Sequence, residues 1–323
     1  MTTTSWVEVV AAVIERSDGS FLLAERPPGK AYAGYWEFPG GKLEAGESLQ
    51  EALRRELKEE LDIEVEQAYP WITRTFVYPH ASVRLNFHRV GRWRGQPLGR
   101  EGQRFSWQRI DALSVAPILP ANGPVLKALS LPLVYAISKG EAGEFDLLRA
   151  EFDKAAERGL KLAQLREKQI PLEACRSLGR AMLNALNSRN GLLVVNSDCA
   201  GGRGSEIARE IGAHGVHLTA VALNSASARP PFEWVGASCH DAAELRRASE
   251  LGADFAVLGP VHATTSHPAA KPIGWGKFRA LALGCPLPLF AIGGLLPSDL
   301  EIARQHGAHG IAMRSAAWVT TAN

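Results

Sequence analysis

The hydrophobic pattern of the first half of the chain centres on one amphipathic helix. Apolar residues recur there at about 100° per residue, the spacing that marks a helix. The apolar stripe consists of Leu49, Leu53, Leu57 and Leu61. Ser48 and Glu51 have the spacing of a capping box, in which each side chain bonds the backbone N–H of the other residue at a helix entry. The pattern therefore predicts a helix that begins after Ser48.

Around this helix, alternating apolar and polar residues predict short strands. The predicted strands are Val7–Glu15, Phe21–Ala24, Ile72–Phe76, Val83–Val90 and Trp107–Ile110. Ser17-Asp18-Gly19 favours a turn that would pair the first two strands as a hairpin. A terminal helix is expected over Pro120–Leu131. Mixed strands around a helix predict an α+β sandwich for residues 1–130.

From about residue 130 onward the pattern changes, because apolar β runs begin to alternate with helical stretches. The predicted strands are Leu133–Ser138, Lys161–Arg166, Leu192–Asn196, Gly215–Leu218, Trp234–Ser238, Phe255–Leu258, Leu289–Ile292 and Gly310–Met313. Eight β/α steps predict that residues 131–323 form an α/β domain, a (β/α)8 TIM barrel, with any site at the C-terminal ends of the strands. The alternative is an open doubly wound sheet, which the strand count disfavours.

Composition and charge exclude several classes of function. At 323 residues the chain is long enough for two domains, and its 46% hydrophobic content suffices for two cores. A formal net charge of only +2 argues against stable nucleic-acid binding. We interpret the one locally basic run as a solvated face. It comprises Arg89, Arg92, Arg94, Arg100 and Arg104.

The cysteines and the N-terminal residues indicate the compartment. The four cysteines are widely spaced, lie in the second half and show no C-x-x-C, which is typical of reduced thiols. The N-terminal stretch lacks the basic region and long apolar core of a signal peptide. No run approaches the ~18 apolar residues of a membrane span. We therefore expect a cytoplasmic protein with no membrane association, and the sequence leaves its oligomeric state open.

The helix also carries acidic residues in an unusual place. Its outward face bears Glu51, Arg54, Arg55 and Lys58. Glu56 and Glu60, however, fall at the edge of the apolar stripe, with Glu59 close by. Converging half-buried carboxylates repel one another unless a cation holds them, and hard oxygen ligands suit Mg²⁺ or Mn²⁺. A charged helix with Glu–Lys and Glu–Arg pairs is the alternative, and wheel geometry alone leaves both interpretations open.

The spacing of residues around this helix resembles a known motif. Gly41, Glu47 and the run Arg55-Glu56-Leu57-Lys58-Glu59-Glu60-Leu61-Asp62-Ile63 are similar to the Nudix box of nucleoside-diphosphate-linked pyrophosphatases. Asp62 is the one departure, since the family has glycine there, but aspartate tolerates the left-handed backbone better than most residues. The segments GYWEFPGGK, REGQ and PANGP resemble the MutT type, hydrolases that clear oxidised guanine nucleotides such as 8-oxo-dGTP.

This resemblance implies roles for individual residues. The implied metal ligands are Gly40 (through its carbonyl), Glu56, Glu59, Glu60 and Glu101. Glu56, Glu59 and Glu101 are also the implied catalytic groups, with Glu101 holding metal or preparing the attacking water. Asn122 matches the amide that reads the purine edge, and Arg26 and Phe38 match residues that line the nucleotide pocket. The expected reaction is Mg²⁺-dependent hydrolysis of a nucleoside triphosphate to the monophosphate and pyrophosphate.

The second half resembles thiamine-phosphate synthase and its relative TenI, the thiazole tautomerase. The segments that carry this resemblance are QLREK, VVNSD, HGVHL, GASCH, LGADFAVLGPVHAT and FAIGG. It implies that a thiazole phosphate binds at the C-terminal ends of the strands. The implied binding residues are Arg166, Lys168, Gly293, Gly294 and Ser315. His240 matches the catalytic histidine of the tautomerase, and a group that titrates near neutral pH suits acid–base chemistry.

The departures from the synthase concern its charged groups. Ser197 and Ala222 stand where the synthase has the carboxylates that hold Mg²⁺, and His267 stands where a lysine is expected. Asp198 is shifted by one residue and would face the other way. A diphosphate leaving group would then keep uncompensated charge, so we do not expect synthase activity.

Three interpretations of the barrel stay open. It is a TenI-like tautomerase that depends on His240, a module that only binds a thiazole phosphate, or a non-catalytic scaffold. A thiamine-pathway protein is a further alternative, in which the first domain hydrolyses a thiamine-related diphosphate.

Overall fold

The computed structural model describes residues 6–79, 81–100, 102–139, 145–264 and 271–318. The chain divides into two compact units, the first extending to Ser130 and the second comprising Leu131–Ala282 and the residues from Leu287 onward. Each unit has its own hydrophobic core. Within the ranges given above, no helix has the length and apolarity needed to cross a membrane.

The first unit combines two small sheets with helices. Its elements are β1 (Trp6–Ile14), β2 (Phe21–Glu25), β3 (Trp36–Glu37), α1 (Leu49–Leu61), β4 (Glu64–Tyr78), β5 (Ala81–Arg94), β6 (Phe105–Gln108), a 3-10 turn (Pro120–Asn122) and α2 (Gly123–Leu129). One sheet has the order β1-β5-β4, with β1 parallel and β4 antiparallel to β5. The other has the antiparallel order β3-β2-β6. This arrangement confirms the predicted α+β sandwich.

The predicted opening hairpin, in contrast, is wrong. β1 pairs in parallel with β5, β2 pairs with β3 and β6, and the bridge between Glu15 and Phe21 is an isolated one. The other edge of β1 binds the loop at residues 39–41: the N–H of Val10 donates to Gly41 O at 2.9 Å, and that of Ala12 to Pro39 O at 2.8 Å. Because this loop takes the backbone groups of β1, the local turn does not decide the pairing.

Helix α1 forms as the sequence predicts. The Ser48 hydroxyl accepts from the Glu51 N–H at 3.3 Å, and the Ser48 N–H donates to the Glu51 carboxylate at 2.8 Å, which confirms the capping box. Its apolar stripe is buried against β1, in a cluster that includes Leu53, Leu57 and Val10. Burial of each such leucine contributes roughly 1.5–3 kcal/mol. The helix is therefore fixed along β1, beside the loop that β1 also holds.

The C-terminal end of α1 confirms the expectation for Asp62. Its φ of 53° is left-handed, and its N–H closes the helix on Leu57 O and Lys58 O. The Lys58 ammonium lies 2.7 Å from the carboxylate of Asp62, and Arg100 lies 3.6 Å from it. These cations lower the pKa of Asp62, mainly through the hydrogen bond from Lys58.

The second unit is a closed barrel of eight parallel strands. Its strands are β7 (Val134–Ile137), β8 (Leu162–Leu165), β9 (Leu192–Asn196), β10 (Gly215–Leu218), β11 (Trp234–Cys239), β12 (Phe255–Leu258), β13 (Leu289–Ile292) and β14 (Gly310–Met313). They pair in sequence, and β14 closes on β7. Each of the eight predicted strands is present, which confirms the TIM barrel.

Helical segments connect these strands. They are α3 (Phe145–Glu157), α4 (Leu172–Asn187), the one-turn α5 (Cys199–Gly202), α6 (Gly204–Ile211), α7 (Ala220–Ser225), α8 (Ala242–Leu251), α9 (Gly274–Ala282) and α10 (Leu300–Gln305). Aromatic rings fill much of the barrel core. Tyr135 packs against Phe255 at 5.5 Å and against Phe290 at 5.4 Å between ring centroids. All strands point the same way, so their C-terminal ends form one rim.

Four arginines of the basic run are exposed, as expected of a solvated face, whereas Arg89 is buried and corrects that part of the interpretation. Each of its arginines lies within 4 Å of a carboxylate; the pairs are Arg89–Glu15, Arg92–Glu66, Arg94–Glu66, Arg100–Asp62 and Arg104–Glu25. Internal pairing of this kind leaves little uncompensated charge for a polyanion. The four cysteines are buried thiols, as the sequence led us to expect.

Candidate functional site

The first site lies where α1 faces the glycine turn that β1 holds. The Gly40 N–H donates to the carboxylate of Glu60 at 3.1 Å. A Cβ on Gly41 would lie 2.2 Å from the carboxylate of Glu56. A Cβ on Gly40 would meet the backbone of β1 at 2.1 Å. Two of the expected metal ligands therefore converge on a turn that requires glycine at position 40 and has room for a Cβ at position 41 only if Glu56 moves.

Arg55 lies among these carboxylates and not on the outward face to which wheel geometry assigned it. Its guanidinium donates to both oxygens of Glu47 at 2.9 Å, to Glu56 at 2.9 Å and to Glu59 at 3.3 Å, and also to Lys42 O. The hydrogen bond to Glu47 raises the pKa of Arg55 and holds the pKa of Glu47 below its usual range. Arg55 is thus the cation that neutralises the site.

The oxygen donors fit a hard divalent cation. Mg²⁺ usually binds through one or two carboxylates, waters and substrate phosphates, and Glu56 and Glu60 supply two carboxylates at one turn. Within the described ranges, no group of three acidic, histidine or cysteine side chains converges tightly enough to hold a metal alone. Arg55 lies between the carboxylates, and the Glu59 side chain is 58% exposed against 14% for Glu56. A metal would compete with Arg55 for these oxygens.

Glu101 lies outside the described residues. The residues that flank it are tied to the end of α1, because the Arg100 N–H and the Gln103 side-chain amide both donate to the carbonyl of Glu60, at 3.0 and 2.9 Å.

Two expected pocket residues differ in their surroundings. Phe38 is 3% exposed and lies in the core, with its ring 5.9 Å from Phe21 and 5.8 Å from Phe87. Arg26 instead reaches an acidic neighbour, donating to Glu37 at 2.5 Å and to Ala31 O at 2.7 Å. The structure thus brings Arg26 to a polar position and surrounds the Phe38 ring with core residues.

Asn122 has the property expected of a ligand-reading amide. It is 3% exposed, and its Nδ2 has no hydrogen-bond partner in the described part of the chain. Buried polar groups are nearly always paired, so an orphaned donor calls for an explanation. Tyr78 packs in one cluster with Ala121, the residue before Asn122, and burial raises the pKa of Tyr78 to about 12.

The second unit carries a buried polar network inside the barrel. Gln164 donates to the Tyr135 hydroxyl at 2.6 Å, and Asn196 donates to Gln164 at 2.8 Å. The Tyr135 hydroxyl lies 3.2 Å from His217 Nδ1, and His217 Nε2 lies 3.0 Å from the Ser238 hydroxyl. Burial lowers the pKa of His217 to about 3. The network is therefore neutral.

The two positions that lack the synthase carboxylates follow β9 and β10 and have hydrogen-bond partners within the chain. The Ser197 hydroxyl accepts from the Thr219 N–H at 3.1 Å, and the Thr219 hydroxyl caps α7 by accepting from the Ala222 N–H at 3.1 Å. Lys168 pairs with Asp198 at 2.7 Å, so the charge of that lysine is already balanced. The other oxygen of Asp198 is buried and accepts no bond from the described residues.

The remaining expected anion ligands lie along the same rim. Arg166 Nε is buried, and none of the described residues accepts its hydrogen. Gly293 and Gly294 have φ values of 111° and 64°, and a Cβ on Gly293 would meet Pro260 at 2.6 Å, so this turn requires glycine. Ser315 is exposed directly after β14.

His240 follows β11 at this rim. Its side chain is 57% exposed, and Nδ1 lies 2.9 Å from Glu244, which also accepts from the His240 backbone N–H. A carboxylate on one ring nitrogen fixes the orientation of the imidazole and leaves the other nitrogen for a ligand. The substituted lysine position, His267, lies outside the described residues.

Comparisons with known proteins separate along the same boundary. A family model described as NUDIX domain matches residues 10–128, and one described as Thiamine monophosphate synthase matches residues 134–317. The first half is 37% identical over 123 residues to an 8-oxo-dGTP diphosphatase of Haemophilus influenzae, covering 38% of this chain and 90% of that protein.

Two further relatives extend the comparison. A CTP pyrophosphohydrolase of Escherichia coli is 40% identical over 128 residues, which cover 38% of this chain and 90% of that protein. A protein of Geobacter sulfurreducens described as a putative thiamine-phosphate synthase is 34% identical over 180 residues, which cover 54% of this chain and 81% of that protein.

The glycine turn generates a prediction about metal affinity. In Gly41→Ala, the new Cβ would overlap the Glu56 carboxylate, so Glu56 must move. We expect Mn²⁺ affinity, measured by water-proton relaxation, to fall by about tenfold, which corresponds to about 1.4 kcal/mol. Gly91→Ala is the control, because nothing lies within 4 Å of that Cβ. Equal affinities in the two variants would show that the turn does not position Glu56.

The barrel network generates a prediction about pH. Folding lowers the pKa of His217 from its ordinary 6.5 to about 3. Below pH 6.5 the histidine of the unfolded chain therefore binds a proton, whereas His217 of the folded barrel stays neutral. The free energy of unfolding therefore decreases as the pH is lowered from 6.5 to 3. From pH 7 to 4.5 this group alone should remove about 2–3 kcal/mol. Urea unfolding of wild type and His217→Gln at both pH values measures it. A pH slope that the variant retains would contradict the assignment.

Proposed function

Because the chain belongs to the Nudix hydrolases over its first unit and to the thiamine monophosphate synthase family over its second, we propose two activities for it. The first unit hydrolyses a nucleoside triphosphate, with an oxidised purine nucleotide such as 8-oxo-dGTP preferred, to the monophosphate and pyrophosphate. The second unit binds a thiazole monophosphate. The observation that carries the first proposal is the convergence of Glu56 and Glu60 on the Gly40–Gly41 turn.

The reaction at the first site is the displacement of pyrophosphate by water. A water oxygen forms the new bond to phosphorus, the bond to the leaving pyrophosphate breaks, and a glutamate accepts the water proton. Glu56, Glu59 and Glu60, with the Gly40 carbonyl, would hold Mg²⁺, and Glu101 would complete the set. Bound Mg²⁺ supplies neutralisation of the phosphate charge. The Glu59 side chain, which is 58% exposed against 14% for Glu56, is open to solvent water.

Arg55 has a positioning role in this proposal. It holds Glu56 and Glu47 through charge-assisted hydrogen bonds at 2.9 Å, which are stronger than neutral ones. Those contacts keep the two carboxylates in place beside the turn.

The relatives differ in the base of the nucleotide for which they are named. One relative is named for 8-oxo-dGTP and another for CTP. The buried amide of Asn122 supports the purine, because its Nδ2 lacks a partner and an amide can both donate to and accept from a base edge.

The proposal for the barrel rests on the positive charge at its rim that no carboxylate of the described residues offsets. Lys168 is balanced by Asp198, whereas Arg166 Nε has no acceptor among the described residues. One unmatched guanidinium suits one phosphate, not the two of a pyrophosphate-activated pyrimidine. His240, oriented by Glu244, supports a tautomerase step in which a proton is moved within the thiazole.

We expect Asn122→Ala to separate base reading from chemistry. The variant should lose preference for 8-oxo-dGTP over dGTP while still hydrolysing dGTP, because the phosphates bind at α1. A lost polar contact costs roughly 1–3 kcal/mol, so the preference should fall about ten- to a hundred-fold. Steady-state kinetics on 8-oxo-dGTP, dGTP, CTP and thiamine diphosphate measure it, with Glu56→Gln as the inactive control. Equal loss on both guanine nucleotides would assign Asn122 a structural role, and turnover by Glu56→Gln would refute the site.

For the barrel we expect binding without synthesis. Calorimetry with a hydroxyethylthiazole phosphate should show binding that Arg166→Gln weakens about tenfold or more, as expected for a charged hydrogen bond of roughly 1.5–3 kcal/mol. Any tautomerase activity should disappear in His240→Gln. A coupled assay with the pyrimidine diphosphate should yield no thiamine phosphate. Robust synthesis would overturn the argument from charge, and absence of binding would leave the scaffold interpretation.

A further inference from the structure

An aromatic cluster adjoins the orphaned amide in the first unit. Tyr32, Tyr35 and Phe76 pack with Tyr78 against the buried residues Leu119 and Ala121. Ala121 is followed by Asn122, whose Nδ2 is buried without a partner among the described residues. The rings therefore pack against the residue that precedes the amide, and rings together with an amide are what a flat, hydrogen-bonding ligand requires.

Tyr32 is the unusual member of this cluster. Its φ of 59° is left-handed, a conformation that is disfavoured for a bulky residue and persists only where the surroundings hold it. The ring is half-buried and lies 5.3 Å from Tyr78 in a tilted arrangement and 5.3 Å from Tyr35 edge-on. Neither neighbour is stacked face to face with it.

Arg26 holds the loop that imposes this conformation. Its backbone bonds Gly34 and Tyr35 at 2.9 and 2.8 Å, and its side chain bonds Ala31 O at 2.7 Å and Glu37 at 2.5 Å. Hydrogen bonds of Arg26 therefore hold the segment 26–35 at residue 31 and at residues 34 and 35. A loop fixed in this way keeps the Tyr32 ring next to Tyr78 at little further entropic cost when a ligand arrives.

Resting on the proposed hydrolysis of a nucleotide, we propose that Tyr32 is a specificity-determining residue: its ring stacks on the base whose edge pairs with Asn122. Aromatic stacking on a base is favourable for every base because each has a π face, and the two fused rings of a purine offer more area than one pyrimidine ring. Tyr32 thus favours purine over pyrimidine nucleotides, and Asn122 distinguishes among purines. Arg26 is a positioning residue for Tyr32.

The test compares Tyr32→Leu, Tyr32→Gly and Tyr32→Phe in the full chain. For 8-oxo-dGTP, the KM of the leucine and glycine variants should rise by roughly five- to a hundred-fold, the range of one lost base stack, with kcat changed about twofold or less. The KM for CTP should rise less. Phenylalanine should restore most of the loss. Glycine accepts the left-handed backbone, so equal effects of glycine and leucine assign the loss to the ring. Trp6→Leu, at an exposed aromatic elsewhere, is the control.

Direct binding separates this inference from the proposed function. Calorimetry of 8-oxo-dGMP binding without metal should show the same ranking of the three variants, whether or not the enzyme turns over a triphosphate. A leucine variant that binds and turns over like wild type would overturn the role of Tyr32 while Glu56→Gln still tests the hydrolase. A phenylalanine variant as weak as leucine would assign the effect to the hydroxyl and refute stacking. A wild type that hydrolyses no nucleotide would refute the proposed function instead.

Discussion

Repulsion between the glutamates of α1 is the constraint that shapes the first unit. Carboxylates placed this close remain ionised only if positive charge and hydrogen-bond donors surround them. Arg55 supplies the charge to Glu47, Glu56 and Glu59, and a glycine N–H supplies a donor to Glu60. The glycine turn reaches the helix only because the edge of β1 carries it. The need to offset the charge of these glutamates thus connects the glycine turn, the edge of β1 and helix α1.

The polar groups inside the barrel are largely buried, and they are neutral where those of the first site are charged. Its interior pairs Tyr135, Gln164, Asn196, His217 and Ser238 without a formal charge. In a medium of low dielectric, a satisfied neutral network is stable, whereas an isolated charge would not be. Charged groups lie at the ends of the strands, with Lys168 and Asp198 at one end and Arg229 and Asp254 at the other. The two units therefore differ in how their sites depend on pH and on bound cations.

The local features of the fold follow from the sequence, because they depend on neighbours a few residues apart. The capping box of Ser48, the leucine stripe and the left-handed Asp62 all form as the pattern predicts. The failed hairpin shows the limit. The Ser17-Asp18-Gly19 turn indicates where the chain reverses but not which strand becomes the partner, and the partner of β1 lies some seventy residues away, as the pairing of Ile14 with Val90 shows.

The site was predictable where residue spacing encodes it and not where distant segments meet. Glu56 and Glu60 reach the glycine turn from the edge of the apolar stripe where the wheel places them. Arg55 was misplaced because the wheel contains no information about Glu47, which belongs to the preceding loop. Part of the signal was present in the helix itself, since Glu59 stands four residues after Arg55, the spacing of a helix ion pair. The role of Tyr32 depends on a backbone angle that no periodicity reports.

Asp62 makes the C-terminal end of α1 sensitive to ionic strength. A glycine there would adopt the left-handed turn without compensation. Aspartate instead places a negative charge at the negative end of the helix dipole, and cations at Lys58 and Arg100 offset it. These groups are largely exposed, and salt screens such pairs over about 8 Å at physiological concentration. The end of the helix that carries Glu60 is therefore held less firmly as the salt concentration rises, while the more sheltered contacts of Arg55 are screened less.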